Sequence, residues 1–272
     1  VADPSSELDV ALWSPGHERD AQAVARAVAE DDLEAALLAL EGSDEAARQA
    51  CRDRLAEWSE AVFRAGGTLE ELRAVLIGEG IVGDNQSYYA VDNSMLSRVV
   101  HRRRGMPILV AAVWALVGKR AGLRCHGIGL PGHFIVAVNG QYVDAFARGR
   151  TLTRDEAIEI AKGFAPDVPF DEAWLKPVTT ARWVQRVLAN LAGSWYRAKS
   201  VVDHYRARRT ARVVADSAST WLAEAYAALL LGLPELARDA WNTVVERWPK
   251  SPEAADAVRR LAALAGDDRT LN

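Results

Sequence analysis

The apolar positions of the chain fall first into helical spacing. Residues 18–29 and 32–40 form two short Ala-rich amphipathic stretches, and Gly42 closes the second. A longer one runs to Ala65 with Ala47, Cys51, Leu55, Trp58 and Val62 on one face, which directs Cys51 to the core. Ser43 is its expected N-cap. Gly66-Gly67 stops it, and Thr68 with Glu71 three residues later forms the capping-box pattern of a further helix through Ile77. Residues 78–93 are glycine-rich and polar around Tyr88 and Tyr89 and predict a loop. Asn93 or Ser94 then caps a short helix ending in Arg102-Arg103-Arg104. Residues 1–10 are polar and acidic and are expected to be poorly ordered.

The pattern changes at residue 107. From Pro107 to Val117 no side chain is charged or hydrogen-bonding except the indole of Trp114. A helix apolar on every side must be enclosed by protein; crossing a bilayer would take ~20 such residues. Gly105 breaks the preceding helix and Pro107 suits the first helical position. Gly118 and Gly122 bracket the exit, where Lys119 and Arg120 complement the helix C-terminus. Three short antiparallel strands follow, over 123–129, 133–138 and 141–146, joined by Leu130-Pro131-Gly132 and by Asn139-Gly140, a type I′ hairpin signal. That hairpin sets Val138 opposite Gln141, Val136 opposite Val143 and Ile135 opposite Asp144. His133 then shares a face with Asp144 as a diagonal neighbour, ~7 Å away or less, within reach of a hydrogen bond.

Downstream, Thr153 and Glu156 repeat the capping box and open a helix to about Phe164. Residues 165–177 hold Pro166, Pro169 and Pro177 and predict a linker. Everything after Thr179 is helical. Trp221, Ala225, Gly232, Ala237, Trp241 and Pro249 match the spacing of a tetratricopeptide repeat, a unit of about 34 residues. Residues 183–217 read as a degraded copy and 251–264 as a capping helix. One clear repeat is too few for a free solenoid, so the array is expected to lean on the central domain.

Composition narrows the classes. The chain has 272 residues, half of them hydrophobic, and a net charge of −4. That is ample for a core and exerts no global pull towards nucleic acid or anionic membrane. No apolar run is long enough to span a bilayer, and the N-terminus has no secretory-signal pattern. Two distant cysteines, Cys51 and Cys125, make neither a disulfide framework nor a zinc cluster, which predicts a reducing cytoplasm. His126 shares the face of His133 and Asp144 but sits too far along the sheet to complete a metal site. No metal and no cofactor are expected.

The stretch YYAVDNSMLSRVVHRRRGMPILVAAVWAL, with GIGLPGHFIVAV and YVDAF, resembles the SirB-type transglutaminase-like family over residues 80–153. The resemblance implies an α+β, mostly helical fold: a transglutaminase-like (papain-like) core with a small antiparallel sheet, N-terminal helices and a C-terminal tetratricopeptide-like array. The corresponding ranges are 1–79, 80–165 and 178–272. It also implies a Cys-His-Asp layout of which only His133 and Asp144 remain. Transglutaminases carry G-x-C at this helix start, whereas here Gly105-Met106-Pro107 puts Pro107 in the nucleophile's place. The family's proline after the Asp is replaced too, by Ala145.

An imidazole–carboxylate pair without a nucleophile has nothing to activate for acyl transfer. The expected role is therefore binding of a protein or peptide, regulatory or scaffolding. Tyr89, Asn93, Ser94, Arg103, Arg104, Gly105 and Ile108 are the expected binding residues around the dyad, and Arg206, Arg208, Arg209 and Arg212 those of the C-terminal helices. The alternative is a hydrolase or acyltransferase acting on amides or esters through His133–Asp144 with another nucleophile. Cys125 is too distant, at roughly 15 Å or more along the sheet. Ser94 and Ser97 are expected to be a cap and an exposed helical serine.

Overall fold

Helix boundaries follow local chemistry closely. The computed structural model describes residues 12–42 and 44–270, with side chains as far as Leu264. The expected disorder of residues 1–10 and the expected Ser43 cap lie outside the described residues. The first helices are α1 (Pro15–Ala29), α2 (Leu33–Ala39), α3 (Glu45–Ala65) and α4 (Leu69–Gly78). Asp32, Asp44 and Thr68 cap α2, α3 and α4 by accepting backbone N–H groups. A two-residue strand β1 (Val82–Gly83) and a 3-10 turn (Val91–Ser94) lead into α5 (Leu96–Arg102). Neither Asn93 nor Ser94 caps α5. Its N-cap is Met95, which makes no side-chain cap bond, and the carboxylate of Glu41 takes the Ser97 N–H at 2.8 Å and the Ser97 hydroxyl. A cap supplied from 56 residues away has no local signature.

The next strand is too short to carry a periodic pattern. Strand β2 (Arg104–Gly105) pairs in parallel with β1, joining Val82 to Arg104 and Gly83 to Gly105. Helix α6 (Pro107–Arg120) follows, buried continuously from Pro107 to Gly118. It packs on α3, α4 and α5, and on β3 and β4 of the sheet. The sheet has four strands rather than three: β3 (Cys125–Ile128), β4 (Ile135–Val138), β5 (Gln141–Asp144) and β6 (Arg150–Leu152), antiparallel in chain order. Val136 faces Val143 and Val138 faces Gln141, as the Asn-Gly turn dictates, while Cys125 faces Val138. β6 escapes a reading of alternation because it is three residues long. At Gly118 a Cβ would come within 2.5 Å of the Cys125 sulfur, so only glycine lets α6 approach β3 this closely.

Helix α7 (Arg154–Phe164) begins with the expected Thr153–Glu156 capping box. The proline-rich segment after it is not a free linker. It contains a 3-10 turn (Glu172–Leu175), buries Leu175, bridges Pro177 to Ile128 and donates the Val178 N–H to Gly127 O at 2.9 Å. Proline is suited to a sheet edge, where a missing donor costs little. Then come α8 (Thr180–Arg197), α9 (Val201–Val214), α10 (Ala218–Leu230), α11 (Pro234–Arg247) and α12 (Pro252–Thr270).

The chain forms two compact units, Ala27–Val187 and Val1–Arg26 with Leu188–Asn272. This grouping differs from the ranges 1–79, 80–165 and 178–272, because α3 and α4 pack on α6 and α2 packs on α5. In the second unit α10 packs on α11 through the fully buried Ala225, Ala237 and Trp241, with Gly232 turning the chain at φ 73°. No helix among the described residues is long and apolar enough to cross a membrane.

Candidate functional site

The site is built on the turn between β3 and β4. Arg186 of α8 donates to Leu130 O at 2.9 Å and to His133 O at 3.0 Å, and its guanidinium lies over the Phe134 ring. Burial, with Arg182 nearby, pushes the Arg186 guanidinium down from its ordinary pKa. His133 is thereby held at the turn's end, and its Nε2 meets Asp144 Oδ2 at 3.0 Å. The other carboxylate oxygen accepts the Ala147 N–H at 3.0 Å. Burial pushes the Asp144 carboxyl up, but the hydrogen bond and charge of His133, the Ala147 N–H and Arg150 together hold it below the usual carboxylate range.

Aromatic rings wall the space in front of this pair. Phe146 stands edge-on to His133 at 6.1 Å, and Phe164 lies parallel to it at 6.3 Å. Tyr88 is perpendicular to Phe146, and Tyr89 to Tyr88. With Asn85, Pro107, Gly132, Arg150 and Ile160 they enclose a cleft of about 750 Å³. Pro107 opens α6 in the wall of this cleft, and among the described residues no cysteine, serine or threonine lines it. Burial raises the thiols of Cys125 and Cys51 to about 12, Cys51 also through Glu41 and Glu34. Ser94 is buried, its hydroxyl on Met106 Sδ. Ser97 is buried rather than exposed, because Glu41 draws it in.

A polar network fixes the loop that carries the tyrosines. Asp84 accepts the N–H groups of Gln86 and Ser87 at 3.0 and 2.9 Å. Asn93 donates to Asp84, to Ser87 O at 2.7 Å and to Tyr88 O, and accepts from Arg102 at 3.0 Å. Asp84 and Asn93 are buried, so their polar groups must be satisfied from within. Those contacts, with Arg102 also 3.5 Å from Asp84, hold the Asp84 carboxyl below its ordinary pKa.

Of the expected residues, the structure brings Tyr89, Pro107, His133 and Asp144 together in the cleft. Asn93 and Ser94 lie buried behind it, and Gly105 is held in the β1–β2 pair. Ile108 is buried with its carbonyl accepting the Trp183 indole N–H, and the N–H of Leu109 is taken by Met106 O. Arg103 pairs with Glu79, and Arg104 is exposed. In the second unit Arg206 binds Asp203 and Leu12 O, and Arg209 lies over Trp13. Arg212 binds Glu224 and covers Trp221, while burial pushes the half-buried Arg208 down in pKa. A strand through residue 146 would set Phe146 on the face of Asp144, but β5 ends at Asp144 and Phe146 reaches the cleft from the turn that follows. Phe164, Arg186 and Asp84 had no local signal. No group of three or more metal-ligating side chains occurs among the described residues.

A buried helix whose start faces a His–Asp pair across a small antiparallel sheet is the transglutaminase-like arrangement, and the profile of the transglutaminase-like superfamily matches residues 29–189. The chain belongs to that superfamily. Within it, the relatives are UPF0162 proteins. One from Xylella fastidiosa strain 9a5c is 30% identical over 66% of this chain and 67% of its own length, which places the chain in that family. A second, from strain Temecula1, is 34% identical over 46% of this chain and 49% of its own. One from Vibrio cholerae is 28% identical over 22% of each. No solved structure matches the chain.

Proposed function

We propose that this chain is a SirB-type, non-catalytic member of the superfamily that binds a protein or peptide in a regulatory or scaffolding role. The cleft beside His133–Asp144 receives a segment of the partner, and the C-terminal helices, read as tetratricopeptide-type, offer a further contact surface. The observation that carries this reading is the cleft itself, aromatic-walled and open, with Pro107 where a nucleophile would stand. Exposed aromatic side chains rimming a concave site suit peptide recognition. Two free buried thiols suit a reducing cytoplasm.

A second reading, amide or ester chemistry, draws on the 3.0 Å pairing of His133 with an Asp144 held ionised. The two are separated by selecting peptides on the wild type and measuring them on Tyr89→Ala/Phe164→Ala, whose altered side chains are more than half exposed. Loss of about tenfold or more in affinity is expected, about 1.4 kcal/mol or more. Equal affinity would remove the cleft from the binding surface. Turnover of a p-nitrophenyl ester or a glutamine peptide that disappears in His133→Ala would establish the enzymatic reading instead.

A further inference from the structure

The basic stretch ending α5 is only partly used by the cleft. Arg102 serves the Asp84–Asn93 network, whereas Arg103 borders a second cavity, about 250 Å³, lined by residues of α3 and α5. Small and apolar side chains, among them Ala50, Cys51 and Val100, line it, together with Arg54, Arg98, His101 and Arg103. Among the described residues no carboxylate lines it. Arg54 pairs with the exposed Glu57 and Arg103 with the half-buried Glu79, in surface pairs of the kind that contribute little. Arg98 and His101 make no close salt bridge among the described residues, although the Arg98 charge acts on the Glu41 carboxyl. Two further acids, Glu41 and Asp44, line an adjoining recess of about 140 Å³, which Arg98 borders as well. Glu41 is already committed to the N–H and hydroxyl of Ser97, and burial raises its carboxyl above its ordinary pKa. Arg103 also holds a left-handed backbone at φ 62°, which L-residues adopt at a cost.

We infer that this cavity is a binding site for a small organic phosphate monoester, with Arg54, Arg98, His101 and Arg103 around the dianion and the Ala50–Cys51–Val100 surface against its apolar body. Guanidinium groups match the oxygens of a phosphate in a planar, forked geometry that a single carboxylate uses less fully. The volume lies below the ~300–1,000 Å³ of drug-sized pockets, which limits the ligand to a small molecule. Cys51 serves as packing in this site, its thiol kept protonated by burial.

The test is calorimetric titration of the full chain with phenyl phosphate, benzoate and inorganic phosphate at about 50 and about 300 mM NaCl. Phenyl phosphate is expected to bind more tightly than either alternative and to weaken with salt. Arg98→Gln/His101→Gln, both exposed positions, should weaken it by about tenfold or more. Ala50→Leu, which keeps every charge but fills the cavity, should weaken phenyl phosphate and leave inorganic phosphate unchanged. Circular dichroism confirms that both variants fold; if either does not, Arg98→Lys and Ala50→Val take their places. Overturning results are no binding of phenyl phosphate at millimolar concentration, tighter binding of benzoate, or equal binding of phenyl and inorganic phosphate that Ala50→Leu leaves untouched.

Discussion

His133 and Asp144 meet through one nitrogen and one oxygen, at 3.0 Å, with Asp144 buried and its second oxygen bound to the Ala147 backbone. The pair therefore orders both the turn that carries His133 and the turn that leads to β6. Removing either side chain should disturb both.

Asp144 gives that statement a pH dependence. Its carboxyl pKa in the folded chain lies below the ordinary value, so it contributes stability that is present above about pH 4 and is lost as pH falls through the folded pKa. Asp144→Asn is expected to cost about 1–3 kcal/mol at neutral pH. The gap between wild type and variant should shrink steadily as pH falls below about 4, as read by chemical denaturation. A gap constant through that range would show that Asp144 is not held ionised.

Thiol reactivity tests the reading that Pro107 stands in a nucleophile's place. Both cysteines are buried with thiols raised to about 12, so the folded wild type should alkylate slowly between pH 7 and 9. Pro107→Cys places a thiol in the cleft wall at a helix start beside His133, and should label faster and at lower pH than either. Adding His133→Ala should remove that advantage. Intact mass against time gives the rates, and rapid wild-type labelling at Cys125 that depends on His133 would overturn the non-catalytic reading.

Asn93 is expected to act on the cleft without touching a ligand. Asn93→Ala removes one donor each from Asp84, Ser87 O and Tyr88 O; Asp84 keeps the Gln86 and Ser87 N–H groups and Ser87 O keeps that of Ala90, and the loss should cost about 1–3 kcal/mol. Hydrogen exchange should rise in residues 86–90 before it rises in α6. Uniform exchange across both segments would mean that the network does not hold the loop separately.

Arg186→Lys isolates the support behind His133. Both bonds leave Nη2 while the guanidinium plane lies over Phe134; a lysine is shorter and has no such plane, so a loss of about 1–2 kcal/mol is expected despite the retained charge. The His133 ring resonances should shift in the nuclear magnetic resonance spectrum. An unchanged spectrum with unchanged stability would remove Arg186 from the site.

How far the sequence reaches is visible in particular residues. The Asn139-Gly140 turn and the alternation around it set the pairing of β4 with β5, and with it the meeting of His133 and Asp144, because a two-residue turn permits one register. The unbroken apolar run after Pro107 identified α6 as the core, and Thr153-Glu156 located the start of α7, since caps and burial patterns act within a few residues. The composition of α10 and α11 likewise anticipated the burial of Ala225, Ala237 and Trp241.

Tertiary structure decided the rest. Glu41 caps α5 from 56 residues away, Arg186 reaches the His133 turn across 53, and residues 165–177 line a sheet edge that exists only once β3 is formed. The small cavity bounded by α3 and α5 arises from Ala50 and Cys51 meeting a row of cations contributed largely by another helix. These contacts join groups remote in the chain. Whether a polar side chain is buried, paired or left facing a cavity depends on what the fold brings opposite it, and no local spacing records that.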